Sequence, residues 1–167
     1  WADSEFFLMD GRYNRDEHAP HPTMFGESQF AWLLDALSRS TANFKFIVMG
    51  TQVLNSTANG ESYYADFRAE FDALVAHLHA HRIPGVLFLT GDLHYAEISR
   101  YQSEGLYPLY DLAISPLTSP ALGFLQRDGN RFRIKGTRYG KNNYAMIALR
   151  GEGAERACHV QVHNKHG

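Results

Sequence analysis

The sequence predicts a layered α/β domain, and three observations carry that expectation. Short, mostly apolar runs alternate with segments of helical periodicity through the first half of the chain. The second half keeps strand-like runs and drops the helices, which adds antiparallel pairing to a parallel core. The length of 167 residues suits one domain with a sizeable core, and 44% apolar content is ordinary for a globular chain. One mixed sheet, or two stacked sheets with helices outside, satisfies all three. Residues 1–167 therefore read as a single domain.

Taken in order, Phe6, Phe7, Leu8 and Met9 form a short apolar run that reads as a buried strand ending at Asp10. The stretch GRYNRDEHAPHPTMFG follows, and its prolines and Gly26 mark a long loop. Phe30, Leu33, Leu34 and Leu37 then fall at i, i+3, i+4 and i+7, an amphipathic helix in which Trp32 and Leu33 read as core. FKFIVMG (44–50) is a second buried strand, and 52–62 a second loop. Phe67, Phe71, Leu74, Val75 and Leu78 mark a second helix, stopped before Pro84. GVLFLTGD (85–92) is a third buried strand. YAEISRYQ (95–102) and YPLYDLAIS (107–115) are strands without a helix between them. NYAMIALRG (143–151) and RACHVQVHN (156–164) read as a terminal hairpin, with Cys158, Val160 and Val162 alternating against His159, Gln161 and His163.

Composition excludes several classes. The net charge is −2 and no basic run stands out, so a nucleic-acid footprint is not expected. The single cysteine, Cys158, permits neither an internal disulfide nor a Cys-rich metal motif. No apolar stretch approaches the roughly 20 residues that span a bilayer. The opening WADSEFFLMD enters almost at once into a strand, with no leader pattern, and suggests a chain that begins inside a larger domain.

Ligands in open α/β sheets collect at the carboxyl ends of the strands. That rule selects Asp10-Gly11-Arg12, then Gly50-Thr51-Gln52 with Asn55 nearby, then Gly91-Asp92-Leu93-His94. If the backbone stays extended through 92–94, Asp92 and His94 project to one side and Leu93 turns into apolar packing. A carboxylate and a neutral imidazole aimed at one point form half a ligand set for a divalent metal. The same two residues are also compatible with a turn cap and a surface histidine. Asp10 and Arg12 fit a metal donor beside a phosphate-binding guanidinium, or an ion pair that anchors the long loop. His77, His79 and His81 sit near a helix C-terminus, where cations are favoured, and read as a solvated face rather than a zinc site. His18 and His21 read as plain loop residues. Asn55-Ser56-Thr57 matches the glycosylation sequon, a pattern common by chance.

FFLMDGRYNR, GESQFAWLLDALSRSTANFKFIVMGTQVLN, IPGVLFLTGDLHYAEISR and YPLYDLAISPLTS occur in that order. The series resembles the PhoD-like branch of alkaline phosphatases, within the metallophosphoesterase superfamily, over roughly residues 4 to 120 and more weakly to NNYAMIAL. The resemblance implies an α-β-β-α sandwich with mixed sheets, and metal-dependent hydrolysis of phosphate mono- or diesters. In that chemistry the metals polarise phosphoryl oxygens and generate the attacking hydroxide. It implies Asp92 and His94 as metal ligands and participants in catalysis, and Asp10 as a further metal candidate. Arg12 would contact phosphate during catalysis, with Gln52 and Asn55 as further substrate contacts. It implies a small phosphate-ester substrate, an extracytoplasmic location, and Ca, Fe, Mn or Zn as the metal. The superfamily's opening Asp-x-His, Gly-Asp and Asn-His motifs are expected to lie upstream of residue 1, and Thr51 and Gln52 stand where many members carry histidine. Residues 1–167 alone are therefore expected to bind metal weakly, to turn over little, and to leave a strand edge open to association. The alternative is a non-catalytic binding or scaffold module on the same fold.

Overall fold

The computed structural model describes residues 3–58, 61–121 and 129–167. Strands β1 (Ser4–Leu8), β2 (Phe44–Val48), β3 (Val86–Thr90) and β5 (Leu109–Ala113) run parallel, and β4 (Glu97–Tyr101) pairs antiparallel with β5. The sheet order is β1-β2-β3-β5-β4. Helix α1 (Gly26–Arg39) links β1 to β2, while α2 (Tyr63–Asp66) and α3 (Arg68–Ala80) link β2 to β3. These crossovers make the first three strands parallel, because a short turn cannot return the chain to the same end of a sheet. Strands β6 (Asn143–Arg150) and β7 (Ala157–Asn164) form the terminal hairpin as expected.

One face of the sheet packs on the helices. Phe7, Ile47, Phe88 and Leu109 meet Leu33 and Leu37 of α1 and Phe71, Leu74 and Leu78 of α3 in one apolar cluster. Phe6 and Phe46 point to the other face, stacked on each other at 5.0 Å, and share a cavity of about 500 Å³ with Ala145, Ile147 and Leu149 of the hairpin. Helices, mixed sheet and hairpin thus lie in successive layers. Trp32 corrects the sequence reading: it is 48% exposed while Leu33 is fully enclosed. One residue along a helix turns the side chain by about 100°, which takes Trp32 off the apolar stripe and leaves only its ring edge near Phe7.

The helix α2 was not legible as periodicity. It is one turn defined by caps: the Ser62 hydroxyl accepts from Ala65 N–H, and the Asp66 carboxylate accepts from Ser62 N–H. Gly85 is required where the chain enters β3, since its φ is +72° and a Cβ there would lie 1.9 Å from the Asn43 carbonyl oxygen. His77 is more than a solvated side chain. Its Nε2 lies 2.8 Å from Ser38 Oγ and 3.0 Å from Leu34 O, joining α3 to α1, and burial and the stacked His81 ring lower its pKa.

The two sheet edges differ. Residues 130–139 cover β4 through main-chain bonds such as Ile134 N–H to Ile98 O and Tyr139 N–H to Ala96 O, both 2.8 Å. At the other edge, β1 leaves Leu8 74% exposed. No helix among the described residues is long and apolar enough to cross a membrane.

Candidate active site

The carboxyl ends of β1, β2 and β3 lie side by side, as parallel pairing demands. Between them is an open cavity of about 440 Å³ whose wall includes Arg12, Gly50, Thr90, Gly91 and Asp92.

At β1, Asp10 shapes its own turn. Its Oδ1 accepts the N–H groups of Arg12 at 2.8 Å and Tyr13 at 2.9 Å, and these bonds lower its pKa. Gln29 of α1 brackets the same residue, with Oε1 accepting Asp10 N–H and Nε2 donating to Asp10 O, both at 2.8 Å. Arg12 donates from Nη1 to Glu61 Oε1 at 2.9 Å, which raises its pKa. Asp10 therefore orders the Arg12 backbone, and Glu61 takes the guanidinium.

At β3, the extended geometry expected for 92–94 does not form. The strand ends at Thr90, and Asp92 (φ 67°) and His94 (φ 58°) both adopt the left-handed conformation. Asp and His enter that region more readily than most residues, but two within three positions is unusual. Leu93 between them is buried, as expected, and its N–H bonds to Gly91 O at 2.9 Å. A tight turn rather than strand pleating presents the pair.

His94 is held by two contacts. Its N–H donates to Ser115 Oγ at 3.1 Å, and its Nδ1 lies 2.5 Å from Pro120 O. A carbonyl oxygen only accepts, so Nδ1 carries the proton. In the neutral ring this places the lone pair on Nε2, the form of imidazole that binds a metal or takes a proton.

At β2, Gln52 and Asn55 sit inside the protein rather than on the cavity wall. Gln52 is 1% exposed and donates from Nε2 to Glu97 Oε1 at 2.7 Å. Asn55 is 6% exposed, and its Oδ1 accepts Thr57 N–H at 2.9 Å. That burial also leaves the sequon asparagine little accessible in the fold.

A family model described as PhoD-like phosphatase matches residues 4–154. The chain belongs to the PhoD-like phosphatase family. A solved structure titled "Structure of PhoD" matches 97% of this chain with a TM-score of 0.68 and 15% sequence identity. At that identity the likeness concerns the fold alone. This chain spans 40% of the length of that solved chain. No curated protein sequence matches at a significant level.

The PhoD-like chain brings Arg12 and Asp92 to one cavity and leaves Gln52 and Asn55 behind its wall. Among the described residues no three His, Cys, Asp or Glu side chains come together in a group that would hold a metal ion. Asp92 and His94 have the right donor chemistry but are fewer than a metal requires. Sequence reasoning missed Gln29, Glu61, Glu97 and Asp111, each of which orders a strand-end segment. Gln29 carried a faint signal, as a polar residue in the first turn of a helix facing a strand end. The acidic residues carried none, because a carboxylate at a strand or loop position ordinarily faces solvent.

Proposed function

We propose that this PhoD-like protein takes part in metal-dependent hydrolysis of phosphate mono- or diesters, with Asp92 and His94 among the metal donors and Arg12 contacting phosphate. The observation that carries this reading is the turn from Gly91 to His94. It stores two left-handed residues at a strand end, and the Nδ1–H bond to Pro120 O selects the tautomer whose neutral ring has its lone pair on Nε2. Asp92 and His94 would supply two of the donors for such a metal, whose chemistry would be to polarise the phosphoryl group and activate water. The chain's own residues orient and neutralise. Arg12 has five donors and spends one on Glu61 Oε1, so it can hold Glu61 and a phosphate oxygen together. Asp10 enters the proposal as the residue that sets the Arg12 turn, since its Oδ1 already accepts two backbone N–H groups. The second reading is a binding module without turnover on the same fold.

Two variants of the full-length protein separate these readings. His94→Ala should lose bound metal and reduce kcat/KM for an aryl phosphate ester by about 100-fold or more. Arg12→Ala should keep its metal and raise KM about 10- to 100-fold, the value of a charge-assisted hydrogen bond. Unchanged metal content and turnover in His94→Ala would sink the assignment. Metal binding with no turnover in the wild-type protein would favour the binding module.

A further inference from the structure

Two of the loops at the cavity converge on a buried carboxylate that the proposed reaction does not use. Asp111, in β5, is fully enclosed. Its Oδ1 accepts the Thr90 hydroxyl at 2.6 Å. Its Oδ2 accepts the backbone N–H groups of Val53 at 2.9 Å and Leu54 at 2.7 Å. Thr90 ends β3 and directly precedes Gly91 and Asp92, while Val53 and Leu54 follow Gly50 in the loop that leaves β2. Thr90, Gly50 and Asp92 all border the cavity.

We infer that Asp111 is a positioning residue for the candidate active site, one side chain that locks the loop after β2 to the end of β3 from behind the cavity wall. Its effect on turnover rests on the phosphoesterase reading; its effect on the loop does not.

Three features support this. The donors all belong to the two cavity-wall segments, so the carboxylate joins those segments to each other rather than to the core in general. Hydrophobic packing would fill the same volume without desolvating a charge, so a carboxylate at this place is poorly explained by packing alone. The cost is visible in the side chain itself: burial, with a smaller contribution from the nearby Glu97 charge, pushes the Asp111 carboxyl up to about 7. Glu97 has its own donors in Gln52, Asn130 and Arg133. It therefore grips the residue before Val53 and leaves the link to Thr90 to Asp111.

The test uses the full-length protein with Asp111→Leu, Asp111→Asn and Thr90→Val. Asparagine can keep the shape, with Oδ1 facing the two N–H groups and Nδ2 donating to the Thr90 oxygen. Leucine removes all three bonds, and valine at 90 removes one. Hydrogen exchange of Val53 and Leu54 should accelerate at least about tenfold in Asp111→Leu, with the amides of Leu87–Leu89 unchanged. The kcat for an aryl phosphate ester should fall about 10- to 100-fold, and Asp111→Asn should restore most of both. Thr90→Val should show a smaller loss, and it decides the matter if Asp111→Leu fails to fold. Exchange that rises uniformly across the sheet, or stays at wild-type values in both Asp111→Leu and Thr90→Val, overturns the inference. A wild-type protein that hydrolyses no ester overturns the phosphoesterase reading, while the exchange comparison still decides the role of Asp111.

Discussion

The five-stranded sheet and the β6–β7 hairpin use polar groups in opposite ways. In the sheet, Asp111, Glu97 and Gln52 are buried and hold loops together at the carboxyl end of the strands. In the hairpin, only Asn143 of the strand residues is buried, and the attachments lie at its ends. Asn143 donates its N–H to Pro116 O at 2.8 Å and its Nδ2 to Ser115 O at 2.7 Å. Near the start of β7, Arg156 grips Asp3 through Nε at 2.7 Å and Nη2 at 2.6 Å, which lowers the Asp3 pKa. Between these anchors the hairpin spans an apolar cavity instead of a packed core. The difference teaches that interior polar bonds are spent where geometry must be held, at the candidate site. Rim bonds are spent where a layer has only to be kept in place.

Breaking the interior network should have the largest effect. Glu97 is fully buried, and Arg133, whose side chain is 11% exposed, donates to it. Glu97→Leu leaves that guanidinium without its carboxylate and should destabilise the protein by about 3–5 kcal/mol in chemical denaturation. A loss under about 1 kcal/mol would show that water repairs the network.

The next effect is a pH dependence at Asp111. Its carboxyl is raised to about 7 in the fold and lies near 3.9 in an unfolded chain. The folded protein therefore keeps the proton to higher pH. The associated stability is full below about pH 4 and is lost as pH rises through about 7. Denaturation midpoints of Asp111→Asn should gain on those of the wild type between pH 5 and pH 8. A constant difference across that range would contradict a raised carboxyl.

The smallest effect belongs to the hairpin. Arg156→Ala removes a partly exposed ion pair, and such pairs contribute little because solvent screens them. Global stability should hardly move, while exchange at β7 amides nearest residue 157 should accelerate. A large fall in melting temperature would place the hairpin on the same footing as the sheet.

Much of the fold was legible because it depends on local pattern. The runs at 44–50 and 85–92 contain β2 and β3, each shorter than its run, and Leu33 and Leu37 face the core from α1. The alternation around Cys158, Val160 and Val162 became β7. The strand-end rule led to Arg12 and Asp92, which share a cavity. Other features escaped because they depend on partners distant in sequence. Gln52 resembles a site residue until Glu97, 45 positions later, takes its amide. The Asp92–His94 geometry turns on two left-handed residues that period-two reasoning does not anticipate.

By itself the sequence determined the order of the strands and of the two longer helices, the crossover connections between the first three strands, and the family to which the chain belongs. Those rest on hydrophobic periodicity and ordered motifs, both carried by neighbouring residues. Tertiary structure alone decided that the aspartate of YDLAI is enclosed, and that it ties two loops together behind the cavity. A strand aspartate is written the same way whether it faces water or the interior. Its surroundings are set by the strands that pack beside it, and those surroundings make it a structural clamp.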